Sequence, residues 1–361
     1  MGIITSKPKN NKYGGEDLFK PKGIYSSNLR GTKKESHLED QDVYHMIGFE
    51  SEGTKIRFFG IYDGHGDKGN LAANLVCKEM TSFVLNSKSL FKKWNNKDTI
   101  SKKFSDLNRD IQKKMSKDFE SYEQSGSCGI CVLIIDKLLF CINIGDSRCV
   151  IGSKSDKVYA AQLSLDHKPN DPDEKARIIK AGGEVTNNKD GTFGPYRVYK
   201  SSSDNLPGLA VSRSFGDLAG HDVGVSELPQ VSFKVIDQAD EFVVIGSDGV
   251  FDVMSSMEIV GYVFERIDQV GAEKIASEIT AECRKRWVVI HKHRTDRFIE
   301  KIREETELQI KKNEEDGEGN RNFSLKSNMN QNIQRLEDRK EANSLQNIDD
   351  ITCVICFLKQ I

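Results

Sequence analysis
The sequence predicts a layered α+β domain. Short, almost wholly apolar runs are spread through the middle of the chain, helix-patterned stretches lie between them, and the two kinds do not alternate regularly. IRFFGIYDG (56–64), CGICVLIIDKLLFCINIGD (128–146) and EFVVIGSDG (241–249) read as buried strands. Residues 70–85 and 98–119 carry apolar side chains three to four apart, the helical spacing. DPDEKARIIKAGG (171–183) opens on Asp-Pro and closes on Gly, a helix start and stop. No internal repeat is visible.

The outer parts differ. Residues 1–20 are polar and read as an arm. From Arg284 to about residue 346 the chain turns charged and Asn-rich, and a strand-like run, DDITCVICFL (349–358), follows. This is expected to be an insertion before the last core strand, its first half an amphipathic helix and its second half disordered. Trp94 and Trp287 read as packing residues, and His291 and His293 as solvated.

Charge and cysteine usage exclude several classes. With 53 basic and 55 acidic residues the net charge is -2, which argues against a large phosphate-neutralising surface and so against nucleic-acid partners. No apolar run is long enough to span a membrane, and the opening residues do not read as a secretory signal. Eight Cys, most of them inside apolar runs, read as reduced, buried thiols of an intracellular, cytoplasmic protein. Two C-x-x-C pairs, Cys128–Cys131 and Cys353–Cys356, fall in strand-like stretches. Residues three apart on a strand face opposite ways, so neither pair is expected to hold zinc.

The first residues carry a separate signal. Met1-Gly2-Ile3-Ile4-Thr5-Ser6 fits the N-myristoylation pattern at Gly2, and Lys7, Lys9 and Lys12 follow. One acyl chain binds membranes marginally, and nearby cations would add the second attraction, to anionic lipid at the cytoplasmic face.

The chemistry is expected where strands end in acids. Five patterns place an acid beside Gly or a second acid: Glu39-Asp40-Gln41-Asp42, Asp63-Gly64-His65-Gly66, Gly145-Asp146-Ser147-Arg148, Ser247-Asp248-Gly249 and Asp349-Asp350. A single Asp-Gly is usually an ordinary turn. Five sets that converge at one sheet edge would repel unless cations separate them, and all-oxygen ligands suit Mg²⁺ or Mn²⁺. Two such ions could activate a water for in-line attack on phosphorus. His65, two residues after Asp63, is placed to protonate a leaving oxygen.

These motifs resemble the metal-dependent Ser/Thr protein phosphatases of the 2C type. FFGIYDGHGD (58–67), SGSCGICVLI (125–134), INIGDSRCVI (142–151), LSLDHKPNDPDEKARIIKAGGEV (163–185), PGLAVSRSFGD (207–217), EFVVIGSDGVFDVMS (241–255) and DDITCVICFL (349–358) occur in family order. The resemblance implies a central β-sandwich of two antiparallel sheets flanked by α-helices, forming one catalytic domain over 21–358 that carries the insertion at about 284–346. It implies two Mg²⁺ or Mn²⁺ ions and, in some members, a third. Asp63 would bridge the two ions, Gly64 would ligate through its carbonyl, and Asp248 and Asp349 would hold the other sides. Asp146 matches the third-ion position and His65 the general acid. For the first acidic motif Asp42 is the expected ligand, with Asp40 the alternative and Glu39 a water-mediated choice. Where many members clamp phosphate with Arg, this chain offers Lys33 or Lys34, with Arg30 nearby; Lys lacks the bidentate fork. Residues 169–205 correspond to the variable flap beside the cleft. The implied activity is hydrolysis of phosphoserine and phosphothreonine in proteins by a monomeric enzyme. A catalytically weak, membrane-tethered binding module is the alternative.

Overall fold
The computed structural model describes residues 21–31, 40–187, 195–200, 208–315, 322–338 and 348–360. The arm with Gly2, Lys7, Lys9 and Lys12, and the segment with Lys33, Lys34 and Glu39, lie outside the described residues.

The strands, in chain order, are β1 (Ile24–Leu29), β2 (Asp42–Ser51), β3 (Thr54–His65), β4 (Gly126–Ser127), β5 (Gly129–Ile135), β6 (Leu138–Ile144), β7 (Arg148–Lys154) and β8 (Val158–Gln162). They continue with β9 (Glu184–Thr186), β10 (Arg197–Tyr199), β11 (Phe215–Gly216), β12 (Gln230–Val235), β13 (Asp240–Gly246) and β14 (Ile351–Phe357). The helices are α1 (Gly69–Asn86), α2 (Lys97–Met115), α3 (Phe119–Tyr122), α4 (Pro172–Lys180), α5 (Leu218–His221), α6 (Asp248–Phe251), α7 (Ser256–Val270), α8 (Ala272–Glu315) and α9 (Asn322–Asp338).

Two sheets, each built of antiparallel pairs, make the centre. One runs β1-β14-β13-β7-β8; the other runs β11-β4-β3-β5-β6-β12, with β2 also on β3. Strand alternation divides the apolar residues between layers. On β3, Ile56, Phe58 and Tyr62 pack under α1 and α2, while Phe59 and Ile61 face the other sheet. On β14, Val354 and Cys356 join that inter-sheet layer, whereas Cys353 and Ile355 pack against α7 and α8. The C-x-x-C cysteines of β14 thus face opposite sides, as strand geometry requires. The result is four layers, helix on sheet on sheet on helix, with the expected sandwich at the centre.

The helices obey local rules. Asn96 caps α2 through the Thr99 amide at 2.9 Å. Asp171 caps α4, with Pro172 in its first turn. Ser255 and Glu258 form a reciprocal capping box on α7.

The insertion departs from expectation. Its second half contains a helix, α9, where polar composition predicted disorder. The reason is a partner within the chain: α9 lies on the distal half of α8, burying Ile333 against a face that also buries Ile299 and Ile310. Asn313 Nδ2 donates to Asn322 Oδ1 across that contact at 3.1 Å. Segments 316–321 and 339–347 lie outside the described residues. His291 is half-buried, not solvated; its ring stacks on Trp287 at 5.4 Å.

His45 on β2 is an unusual core residue. It is 3% exposed, packed against Phe58 and Tyr62, and neither ring nitrogen has a hydrogen-bond partner. Burial pushes its pKa down from 6.5 to about 3. The native ring therefore stays neutral where the unfolded one takes a proton, so stability is full above about pH 6.5 and falls as the pH drops toward about 3. His45→Phe should flatten the acid limb by up to about 1.4 kcal/mol per pH unit. Urea unfolding at about pH 7, 6, 5 and 4 checks this; identical slopes in both proteins would refute it.

Candidate active site
Strand register assembles the site at one mouth of the sandwich. β2 begins and β3 ends there, and their pairing sets Asp42 opposite Asp63. β13 ends there as well, delivering Asp248 to the first turn of α6, and β14 begins there just after Asp349 and Asp350. Ser247 fastens these last two ends: its hydroxyl donates to the Asp350 carbonyl at 3.3 Å and accepts from the Thr352 amide at 3.1 Å. The Cys128 amide donates to the Asp63 carbonyl at 2.8 Å, anchoring the end of β3.

The walls enclose a cleft of about 250 Å³. Asp63, Gly64, His65, Asp146, Asp248 and Asp349 all line it, although they come from four separate motifs. Gly64 is constrained by space: a Cβ there would lie 2.3 Å from the Gly69 carbonyl oxygen.

The four-residue motif at 39–42 now separates. Asp42 is 3% exposed, and neither carboxylate oxygen has a hydrogen-bond partner. Asp40 is turned to structural use: it accepts from Asn28 at 2.9 Å and from the Asp42 amide at 3.1 Å. The Asp349-Asp350 pair divides the same way. Asp350 accepts from the Gly31 amide at 2.6 Å and the Gln41 amide at 2.9 Å, while Asp349 faces the cleft.

The electrostatics are those of crowded acids. Burial raises the Asp63 carboxyl well above its usual range, and Asp42, Asp248, Asp349 and Asp146 push it further. Asp248 is raised by burial, then by Asp349, Asp146 and Asp252, with Lys168 opposing. Asp42 is raised by burial and by Asp350; the nearby Thr352 hydroxyl opposes this without reaching hydrogen-bond geometry. Asp248 Oδ1 is also buried without a partner. Oxygen-only donors, orphaned and mutually repelling, fit hard divalent cations. Among the described residues no three His, Cys, Asp or Glu side chains converge tightly on one point.

Several residues here were not singled out from sequence. Asp217 Oδ2 lies 2.6 Å from His65 Nε2 and is 1% exposed. Its backbone sits in the left-handed region, φ 44°, and a Cβ on Gly126 would strike its carboxylate at 2.3 Å. Lys168, from the DHKP segment, pairs with Asp146. Arg197, on β10 of the flap, lines the cleft with its guanidinium donating to the Gly208 carbonyl at 2.6 Å. Asp252 lies four residues beyond Asp248, and burial followed by Asp146 and Asp349 raises its pKa, with Lys168 opposing. The i, i+4 spacing on a helix was the readable signal for it. Cys128 also reaches the cleft, its thiol 3.4 Å from Asp146.

The flap root is cross-braced. Glu174 of α4 receives Arg177 and Arg213, at 2.7 and 2.6 Å, and the Ser212 hydroxyl. His167 accepts from the Gly145 amide at 3.1 Å, fixing the turn that presents Asp146. Residues 188–194 and 201–207 of the flap lie outside the described residues.

The chain is similar to known proteins in sequence and in fold. The chain is 32% identical over 251 residues to the Arabidopsis thaliana protein named "Probable protein phosphatase 2C 52", covering 61% of this chain and 53% of that one. It is 31% identical over 255 residues to "Probable protein phosphatase 2C 61" of the same plant, covering 69% and 74%. The chain spans 53% to 64% of the length of the first four such relatives. Among solved structures, the serine-threonine phosphatase 2C from Toxoplasma gondii shares the fold, with a TM-score of 0.54 at 17% identity, covering 92% of this chain and 98% of that one. A sex-determining protein from C. elegans superposes with a TM-score of 0.59 at 18% identity, covering 93% and 64%. The family model described as "Protein phosphatase 2C" matches residues 25–289, most of the sandwich and its acidic mouth, and the chain belongs to that family.

Proposed function
We propose that this chain is a metal-dependent phosphatase acting on phosphoserine and phosphothreonine in proteins. The observation that carries the reading is the crowding of buried carboxylates around Asp63, which Asp42, Asp248, Asp349 and Asp146 all press, with both Asp42 oxygens and Asp248 Oδ1 left without partners. A fold that buries such acids together without cations is working against itself, and divalent ions remove the conflict. Asp63 and Asp42, with the Gly64 carbonyl, would hold one Mg²⁺ or Mn²⁺. Asp248 and Asp349, sharing Asp63, would hold another. Bound there, such ions supply charge to the phosphate oxygens and acidify a water for in-line attack. A third ion would fall to Asp146 and Asp252, where Lys168 already supplies one positive charge.

The protein's own groups do the rest. Asp217 holds one ring nitrogen of His65 and fixes its orientation, so His65 can deliver a proton to the departing serine or threonine oxygen. The Arg197 guanidinium lines the cleft, held there by its bond to the Gly208 carbonyl, and would be placed to take a phosphate oxygen. From the flap it would offer the bidentate fork that Lys33 and Lys34 lack. Myristoylation of Gly2, with Lys7, Lys9 and Lys12 facing lipid, is a further proposal resting on the sequence motif alone.

Asp63→Asn and Asp248→Asn should each cut Mn²⁺-dependent hydrolysis of a phosphopeptide by at least about 10³-fold. Each also removes a buried repelling charge, so each should stabilise the metal-free protein, by roughly 1–3 kcal/mol. Activity assays and urea unfolding in EDTA read the two effects. Retained activity in both variants would sink the site.

The proton donor is tested by leaving group. Asp217→Asn and His65→Ala should lower kcat on a phosphoserine peptide roughly 10²-fold. p-Nitrophenyl phosphate, whose leaving group needs no proton, should be affected much less. Equal losses on both substrates would exclude the acid role.

Arg197→Ala should raise KM for phosphopeptide about tenfold, with a smaller change in kcat. An unchanged KM would remove Arg197 from phosphate binding.

A further inference from the structure
The turn that carries Asp248 is too short to satisfy itself. α6 spans only Asp248–Phe251, so its carbonyls run out of helical donors at once. The Val253 amide, which would reach back to Gly249 in a longer helix, bonds instead to the Val250 carbonyl at 3.3 Å. The Gly249 carbonyl is met from outside: Trp287 Nε1 on α8 donates to it at 2.7 Å. Arg286 Nη1, next on the same helix, donates to the Val253 carbonyl at 3.1 Å. On the opposite side the turn has no slack. A Cβ on Gly249 would lie 2.1 Å from the Asp350 carbonyl oxygen, beside Asp349.

We propose that Trp287 is a positioning residue of the metal centre, holding the Asp248 turn at the register the ions require through its indole N–H. The inference rests on the reading of Asp248 as a metal ligand. Packing alone would not select this arrangement. Trp287 is 6% exposed, but any large apolar ring could fill the space between α8 and α6; only an indole also meets the carbonyl next to the ligand. The residue also stands where α8 leaves the body. Cys283 is buried against the core one turn earlier, while the next fully buried residue along α8 is Ile299, three turns further on. A shift in the seat of α8 is therefore felt first at Trp287 and, one hydrogen bond later, at Gly249.

The test uses the full chain in two measurements. Trp287→Phe keeps an aromatic ring and deletes the donor. Isothermal titration with Mn²⁺ should show the dissociation constant raised about fivefold to tenfold, the worth of one ordinary hydrogen bond. Amide exchange over 249–254 should quicken. Unchanged Mn²⁺ affinity with only a lower Tm would overturn the proposal, leaving Trp287 a packing residue. The wild-type protein gives a second reading that needs no variant. It has two Trp, so a ¹⁵N–¹H spectrum shows two indole N–H signals. Mg²⁺ should move that of Trp287 and leave that of Trp94, in the α1–α2 layer, unmoved. An unmoved Trp287 signal in protein that binds Mg²⁺ would remove this inference alone. Failure of the wild type to bind Mg²⁺ or Mn²⁺ at all would remove the functional reading and this inference together.

Discussion

The repulsion among carboxylates at one mouth of the sandwich is the constraint on which the rest of the structure depends. Asp63 is pressed by Asp42, Asp248, Asp349 and Asp146 in surroundings that already penalise charge. Left alone, strand ends carrying such groups would splay. They are held by bonds that do not involve the carboxylates. Ser247 ties β13 to the start of β14, the Cys128 amide fixes the Asp63 carbonyl, and the Gly64 amide donates to the Gln41 carbonyl at 3.1 Å. Rigid backbone thus keeps repelling side chains together, and that is how a site can stand ready for cations before they arrive.

The same logic sorts the acids that look alike in the sequence. Asp40 and Asp350 spend their oxygens on backbone amides and an Asn side chain, so they act as structural acceptors. Asp42 has buried oxygens without partners, and Asp349 and Asp248 face the cleft. Two of the ligand candidates, Asp42 and Asp349, are therefore flanked by a second acid that ties down the local backbone. The doubled motifs at 39–42 and 349–350 are a division of labour between neighbours, one residue for the fold and one for the cleft.

What was legible in the sequence was whatever is local. Asp63, Gly64 and His65 sit in one contiguous motif, and the Asp-Gly at 248–249 marks its own turn. The apolar runs of β3, β5, β6 and β13 announced the sandwich faces. The choice between Asp40 and Asp42 was harder, because it depends on the β2–β3 register, which pairs Asp42 with Asp63 twenty-one positions away. Asp217 and Lys168 lie in segments already matched to the family, and Arg197 in the flap, but their roles depend on long-range contacts, with His65 and Asp146 for the first two and with the cleft for the third. The helix α9 was read as disorder because its own composition cannot bury enough surface. It is ordered by the facing stripe of α8, a partner that no window on 322–338 contains.

The balance of charge in the cleft finally explains why cations would be needed before any chemistry. Five carboxylates, from Asp42, Asp63, Asp146, Asp248 and Asp349, gather around a space that Lys168 and Arg197 partly offset. A phosphate group brings further negative charge and would be turned away from such a surface. On the proposed reading, two divalent ions would reverse the sign of that field and would serve to hold the substrate as well as to activate water. Lys168 and Arg197 stand at different edges of that field: one is committed to Asp146, the other is held by the Gly208 carbonyl and comes from the flap. The fixed acids therefore define where the ions go. On the proposed reading, Arg197 would meet the phosphate from the flap after the ions are in place, and the hydrolytic chemistry would belong to the acids at the sandwich mouth.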